Sequence, residues 1–222
     1  ALAKHGPLVV VLVPTRELAR QVHTHLRPLL VGTTFKAALI VGGENFNDQA
    51  QRLRRESHII IATPGRLADH LQQKGELLDG LELLILDEAD RMLQLGFSQQ
   101  IQQINQSAAY FSRQTLLFSA TLDHADFENV AQALLKGPRR IALNQGHAAH
   151  TQITQHFYLC DHLDHKQALL DHLLSHESIR QAIIFTATRD DTARLAEYLQ
   201  THDIVAVALS GKLSQSQRTA IM

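Results

Sequence analysis

Two adjacent carboxylates, Asp87 and Glu88, follow directly after four apolar residues in the stretch LLILDEADRML, residues 83–93. The apolar run predicts a buried strand, so both acids stand at its carboxyl end, where parallel α/β sheets bind their ligands. There Asp87 is suited to hold Mg²⁺ near the phosphates of a nucleotide, and Glu88 is suited to orient or deprotonate an attacking water. The alternative is that the two acids only cap the helix that begins near Ala89.

A predicted strand-to-helix junction in VVVLVPTRELARQ, residues 9–21, carries groups suited to bind phosphate. The strand ends at Pro14, Thr15 is a predicted N-cap, and Glu17 lies near the positive end of the helix dipole. The unpaired N–H groups of such a helix start bind anions, so the junction is a candidate phosphate site.

The stretch HIIIATPGRLADHL, residues 58–71, repeats this junction. Thr63 is a predicted N-cap, Pro64 fits the first helical turn, and Arg66 projects from the same end. Helix capping without any ligand is the alternative at each of these junctions.

A third junction, in LIVGGENF, residues 39–46, ends its strand on Gly42 and Gly43. Two residues without side chains permit close approach of another molecule to the backbone. Three such junctions in one sheet, two of them with an arginine, indicate a groove that binds phosphates.

Short apolar runs alternate with stretches of helical periodicity, a pattern that predicts βαβ units and a parallel sheet covered by helices on both faces. In a first domain, residues 1–145, we expect strands at residues 8–13, 36–41, 58–62, 83–86, 114–118 and 140–143. After a polar linker at residues 146–152, a second α/β domain begins at residue 153 and is still incomplete at residue 222; its predicted strands are residues 153–160, 182–186 and 205–210, and its predicted helices are residues 163–176 and 190–201.

The composition is that of an ordinary globular protein, with 45% hydrophobic and 19% charged residues among 222. A net charge of −1 gives no overall attraction to nucleic acid, so any such binding must come from locally placed groups. The single cysteine, Cys160, and the absence of an apolar run near ~18 residues favour a cytoplasmic protein with no membrane partner. The 14 histidines are scattered, and we interpret pairs such as His172 and His176 as solvent-exposed helix residues rather than metal ligands.

The chain resembles the DEAD-box RNA helicases, because it contains their motifs in the same order and with similar spacing. The matching stretches are PTRELA (14–19), GG (42–43), TPGR (63–66), DEAD (87–90), SAT (119–121), IIFTAT (183–188) and LSGKLSQSQR (209–218). The resemblance covers essentially the whole chain and implies RecA-like sheets in both domains. Within the family, the chain is similar to the bacterial cytoplasmic branch that assists ribosome assembly or RNA turnover.

The resemblance implies an ATP and Mg²⁺ site in the first domain. Asp87 would hold Mg²⁺ and Glu88 would position the hydrolytic water. Asp90 would bond to Ser119 and Thr121, which ties the ATP site to closure of the two domains.

The resemblance also implies binding of the RNA sugar-phosphate backbone without regard to sequence. In the first domain the implied contacts are Pro14, Thr15, Arg16, Gly43, Thr63, Gly65 and Arg66. In the second domain they are Phe185, Thr188, Gln215 and Arg218, although Phe185 also fits a core position in a buried strand.

The family's phosphate-binding loop, G-x-x-x-x-G-K-[ST], does not occur in these 222 residues. We therefore expect the chain to be the middle of a longer helicase, and the chain alone to be inactive as an ATPase. By resemblance the missing strand would lie between residues 114–118 and 140–143, so we expect an exposed sheet edge there. The alternative functions are a related DNA translocase and an RNA-binding protein that works without ATP.

Overall fold

The computed structural model describes residues 6–54, 57–108, 113–120, 125–142, 153–176 and 178–221, with only the backbone described at residues 125–127, 215 and 219. The chain divides into two compact units, residues 1–144 and 145–222. The expected linker, residues 146–152, lies outside the described residues.

The first unit is built on a five-stranded sheet in which all the pairings are parallel. Its strands are β1 (Val9–Leu12), β2 (Ala37–Ile40), β3 (Ile59–Ala62), β4 (Leu83–Leu86) and β5 (Gln114–Leu117). Its helices are α1 (Arg16–Leu30), α2 (Phe46–Arg54), α3 (Pro64–Gln73), α4 (Ala89–Gln94), α5 (Ser98–Ser107) and α6 (Ala125–Leu134), with a 3₁₀ turn at Gly75–Leu78. The strand order is β2-β3-β1-β4-β5, so β1 lies between two strands, β3 and β4, that do not follow it directly in the chain.

The core of the first unit follows from the alternation of side chains along short apolar strands. In the three central strands Val10, Ile60 and Leu84 lie side by side in register, and all three are fully buried. The opposite face has a smaller cluster that includes Val13, Ala19 of α1 and Ile61. Apolar material on both faces holds helices against both, which is why the sheet is parallel and covered as predicted.

The predicted strand at residues 140–143 is wrong for residues 140–142, which are not in a strand; Leu143 lies outside the described residues. A strand requires a hydrogen-bonded neighbour, and among the residues that the structure describes β5 pairs with β4 alone. β5 is therefore an edge of the sheet, as expected, and Phe118 just beyond it is 53% exposed.

The described part of the second unit contains the helices α7 (Leu163–Leu174), α8 (Arg189–Thr201) and α9 (Gln215–Ile221). The Tyr198 hydroxyl of α8 donates to Asp171 of α7 at 2.6 Å, and this hydrogen bond raises the pKa of Tyr198. His172 and His176 are both exposed, as interpreted from the sequence.

The three predicted strands of the second unit, residues 153–160, 182–186 and 205–210, are wrong: none forms a strand in the described part of this unit. Their apolar side chains are largely exposed, for example Leu159 at 96% and Val205 at 98%. The sequence correctly marks these residues as apolar, but a ladder forms only where a neighbouring strand completes the hydrogen bonds. Among the described residues of the whole chain, no helix is long and apolar enough to cross a membrane.

Candidate nucleic-acid interface

The candidate residues of the first unit stand at one edge of its sheet. Since the five strands run parallel, their carboxyl ends all meet at that edge. Read along the strand order, the edge carries Gly42–Gly43 after β2, Thr63–Arg66 after β3, residues 14–16 after β1, Asp87–Glu88 after β4 and Ser119 after β5. The three phosphate-suited junctions are therefore contiguous, and the two acids lie beside them.

The junction after β1 has the predicted N-cap. The Thr15 hydroxyl accepts a hydrogen bond from Leu18 N–H at 3.2 Å, and Glu17 lies in the first turn of α1. Pro14 is buried and Arg16 is exposed. The junction thus places a cation on the surface at the start of a 15-residue helix whose N–H dipoles favour anions.

The junction after β3 differs from the prediction at its cap. Thr63 occupies the N-cap position of α3 and Pro64 its first turn, but the Thr63 side chain makes no capping hydrogen bond. Thr63 is instead only 8% exposed, and its N–H donates to Ile40 O of β2 at 3.1 Å. The sheet therefore fixes the backbone of Thr63, and its side chain is packed rather than turned toward the helix N-terminus.

The Gly42–Gly43 turn after β2 lies against the Arg16 side chain. A β-carbon at Gly43 would overlap the Arg16 guanidinium, and one at Gly42 would lie 3.1 Å from it. Gly43 also has φ +77°, a conformation that other residues adopt only at a cost. The bare backbone and the cation of the neighbouring junction thus form one surface.

Arg66 is turned toward the same turn. Its Nη2 donates to Glu44 O at 2.6 Å and its Nε donates to Val41 O at 3.3 Å, while its guanidinium lies 5.4 Å from the centre of the Phe46 ring. Arg66 therefore holds the backbone of the turn. A guanidinium has five N–H donors, so these bonds leave donors that could also contact an RNA phosphate. That contact of Arg66 stays a prediction.

Other side chains around the turn were not singled out from the sequence. The Glu44 carboxylate pairs with Arg20 at 2.9 Å and Arg52 at 3.3 Å, but these pairs are half exposed and contribute about 0–1 kcal/mol each. Gln49 and His70 are buried and bonded to each other. His70 follows Arg66 by one helical turn on α3, a spacing that was a usable signal, whereas nothing in the sequence separates Gln49 from the exposed glutamines around it.

The junction after β4, which carries Asp87 and Glu88, has an unusual backbone conformation at Glu88. Asp87 is half-buried, and its Oδ1 accepts a hydrogen bond from Glu88 N–H at 3.0 Å. Glu88 is exposed and takes the left-handed conformation, φ 51° and ψ 50°, which costs about 1–3 kcal/mol for a residue with a side chain. Glu88 occupies the N-cap position of α4 without a side-chain capping bond, so helix capping does not explain this acid.

The single half-buried carboxylate of Asp87 is compatible with Mg²⁺. Within the described ranges, no group of three or more histidine, cysteine or acidic residues could hold a metal ion. Mg²⁺ does not require such a group, because it usually keeps several waters and binds one or two carboxylates together with substrate phosphates. Asp87 would supply one of those carboxylates.

The candidate link between the ATP site and domain closure is described only in part. Ser119 is half-buried just after β5, and Asp90 is half-buried in the first turn of α4. Thr121 lies outside the described residues. The bonds of Asp90 to Ser119 and Thr121 stay a prediction.

In the second unit, Thr188 caps α8. Its hydroxyl accepts from Asp191 N–H at 3.1 Å and donates to the Asp191 carboxylate at 2.6 Å, which lowers the pKa of Asp191. Phe185 is 91% exposed, so the core interpretation of this residue is wrong here. Gln215 and Arg218 both lie on α9; Arg218 is half-buried, and the Gln215 side chain is not described.

We predict that relieving the backbone strain at Glu88 stabilises the fold. Glycine adopts the left-handed conformation freely, whereas alanine bears the same strain as glutamate. Glu88→Gly should therefore unfold at a higher urea concentration than the matched control Glu88→Ala, by a free energy of about 1 kcal/mol. If Glu88→Ala were the more stable of the two, the conformation at Glu88 would not be strained.

Comparison with known proteins identifies the family to which the chain belongs. Residues 1–130 match the sequence profile of the DEAD/DEAH box helicases, and residues 165–222 match the helicase conserved C-terminal domain. The chain is 37% identical to the ATP-dependent RNA helicase SrmB of Escherichia coli, over 96% of this chain and 48% of that protein. It is 40% identical to the ATP-dependent rRNA helicase rrp3 of Sclerotinia sclerotiorum, over 98% of this chain and 45% of that protein.

The chain thus spans about half the length of these relatives. A solved structure of a DEAD box protein from the hyperthermophile Methanococcus jannaschii is also similar, with a TM-score of 0.58 and 31% identity, over 97% of this chain and 57% of that one. This likeness confirms the RecA-like fold class predicted from the sequence. Because the first profile alone covers more than half of the 222 residues, the chain belongs to the DEAD/DEAH box helicase family.

Proposed function

We propose that this chain is the part of an ATP-dependent RNA helicase that binds the RNA backbone and places the catalytic carboxylates. The observation that carries the proposal is the strand order: the junctions after β2, β3 and β1 are adjacent, and Asp87–Glu88 follows on the next strand. One edge of one sheet therefore brings phosphate-suited groups beside a metal-suited acid. The names of the relatives, an RNA helicase and an rRNA helicase, support RNA as the partner, and the second name supports a ribosome-related setting such as ribosome assembly. RNA turnover is the alternative setting.

In this proposal, residues 1–145 form the first RecA-like helicase domain, residues 146–152 the linker, and residues 153–222 belong to the second domain. RNA would be held in the first domain by Pro14, Thr15, Arg16, Gly43, Thr63, Gly65 and Arg66, and in the second by Thr188, Gln215 and Arg218. No aromatic residue lies within the three first-domain motifs to stack on a base, so recognition would use phosphates and sugar hydroxyls. Such binding is nearly indifferent to base sequence, while the 2′-OH still lets it prefer RNA over DNA.

ATP and Mg²⁺ are the proposed cofactors: ATP would supply the phosphoanhydride whose hydrolysis is coupled to RNA remodelling, and Mg²⁺ would neutralise charge on its phosphates. Asp87 would hold the metal, for which its half-buried carboxylate is suited. Glu88 would orient the water, for which its exposed carboxylate at the strand end is suited. These 222 residues contain no G-x-x-x-x-G-K-[ST] loop to hold the triphosphate, so the chain by itself should not turn over ATP.

Glu88→Gln tests the catalytic assignment. In the intact gene product, removing the charge while keeping the shape should lower RNA-stimulated ATP hydrolysis by about 100-fold or more, because the water loses its general base. Binding of ATP and RNA should change by less than about twofold. The matched control is Glu82→Gln, which alters an exposed glutamate at the opposite end of β4 and should keep full turnover. Near-normal hydrolysis by Glu88→Gln would remove Glu88 from this role.

Gly43→Ala tests the proposed RNA surface, with Gly32→Ala as its control. Both glycines have positive φ, +77° and +80°, so both variants should lose about 1–2 kcal/mol of stability. Only at Gly43 does the new β-carbon displace the Arg16 guanidinium, since nothing lies within 4 Å of one at Gly32. Gly43→Ala should therefore weaken binding of poly-U and of mixed-sequence RNA alike, by about tenfold, in the presence of an ATP analogue.

Two results would contradict the proposed surface. Equal losses of RNA affinity in Gly43→Ala and Gly32→Ala would reduce the effect to general destabilisation. A change in the preference among RNA sequences would mean that the turn reads bases.

A further inference from the structure

We propose that Gln49 and His70 are positioning residues that fix the Gly42–Gly43 turn and the Arg66 guanidinium in the arrangement an RNA backbone meets. The inference rests on the proposed RNA binding, but the structural step can be measured without RNA. Neither side chain can touch RNA itself, because Gln49 is 0% and His70 4% exposed.

The Gln49 side chain is the first link. It is the one buried residue of α2, whose other residues are half-buried or exposed, and its Nε2 donates to Val41 O at 2.7 Å. Burying an amide costs free energy unless its hydrogen bonds are made, and an apolar side chain of similar length would fill the space without that cost. The amide of Gln49 therefore orients the Val41 carbonyl, which an apolar side chain could not do.

The Val41 carbonyl receives a second donor, Arg66 Nε at 3.3 Å, and Glu44 O receives Arg66 Nη2 at 2.6 Å. The peptide unit is planar and trans, so an N–H points away from the carbonyl that precedes it. With Val41 O turned toward Gln49 and Arg66, the N–H of Gly42 points to the opposite side. The donors Gln49 Nε2 and Arg66 Nε thus determine the direction in which the Gly42 N–H points.

The His70 ring is the second link. Gln49 Oε1 can only accept, so His70 Nε2 donates to it at 3.4 Å, and this bond orients the amide with its Nε2 toward Val41. The ring also stacks on Phe46, with centroids 3.9 Å apart and planes 13° apart, and Phe46 in turn lies under Arg66. Burial and the Arg66 cation lower the pKa of His70, which favours the neutral ring.

Gln49 and His70 connect the two sides of the Gly42–Gly43 turn through two series of contacts. From His70, one branch runs through Gln49 to the Val41 carbonyl, and the other runs through Phe46 and Arg66 to the Glu44 carbonyl. Both carbonyls flank Gly42–Gly43. Loss of the amide should therefore release the turn while leaving the core packed.

The test compares Gln49→Met with Gln51→Met in the intact gene product. Gln51 is exposed on the same helix, two residues further on, so the second variant is a matched control. We expect Gln49→Met to shift the thermal midpoint by less than about 4 °C. Hydrogen exchange of the amides of residues 42–46 should become about tenfold faster, and binding of poly-U and mixed-sequence RNA with an ATP analogue should weaken about tenfold. Gln51→Met should change neither.

A second variant, His70→Phe, keeps a ring against Phe46 and removes the donor to Gln49. It should accelerate exchange of the same amides and weaken RNA binding in the same direction. If the parent protein fails to bind RNA, the proposed function is wrong, while the exchange measurement still decides the positioning role. Unchanged exchange at residues 42–46 in both variants would overturn the inference, whatever happens to RNA affinity. Global unfolding of both variants would also overturn it, because the pair would then be part of the core.

Discussion

Parallel pairing of β1 with both β3 and β4 determines where every candidate residue of the first unit lies. The register sets Val10 beside Ile60 and Leu84, all fully buried, so a slip of any of these strands would disrupt the packing of these side chains. Because the strands are parallel, that register also aligns their carboxyl ends. Chemistry placed at the ends of strands far apart in the chain is thereby gathered on one edge.

The strand order divides this edge into two halves. The half formed by β2, β3 and β1 carries glycines, helix starts and arginines, all of which suit a polyanion. The half formed by β4 and β5 carries Asp87, Glu88 and Ser119. The two halves adjoin at β1 and β4, so the two acids lie next to the proposed phosphate path without being part of it. A cation on one half and a metal-suited acid on the other can then serve different phosphates.

The Gly42–Gly43 turn shows how backbone can act as a binding surface. A turn without side chains has little of its own to hold it in place, so neighbouring helices supply the restraint. Arg66 of α3 and Gln49 of α2 donate to its flanking carbonyls, while Arg20 of α1 pairs with Glu44. A buried amide and a partly buried guanidinium restrain the turn more than surface ion pairs do.

Much of the first unit could be predicted from the sequence, because apolar runs and junction residues are local signals. Five of its six predicted strands and the N-cap at Thr15 are confirmed. What depends on tertiary partners could not be predicted locally: the sheet holds Thr63 away from its capping role, and within the described ranges no strand pairs with residues 140–142. The same reason applies to the extended apolar segments of the second unit.

In the candidate site, too, several residues could be predicted from local motifs, whereas their tertiary contacts could not. The motifs located Asp87, Gly43 and Arg66 directly, but a motif does not show that Arg66 bonds to backbone carbonyls. Gln49 could not be recognised at all, since its burial is decided by the packing of α2 on the sheet.

The most direct measurement of the two-halved edge is a hydrogen-exchange footprint of the intact gene product with poly-U and an ATP analogue. Binding at the carboxyl edge should slow exchange at residues 14–17, 42–45 and 63–66, and leave residues 32–36 and 79–82 at the opposite edge unchanged. Protection at residues 32–36 and 79–82, with none at the three junctions, would show that RNA binds elsewhere and would contradict the assignment.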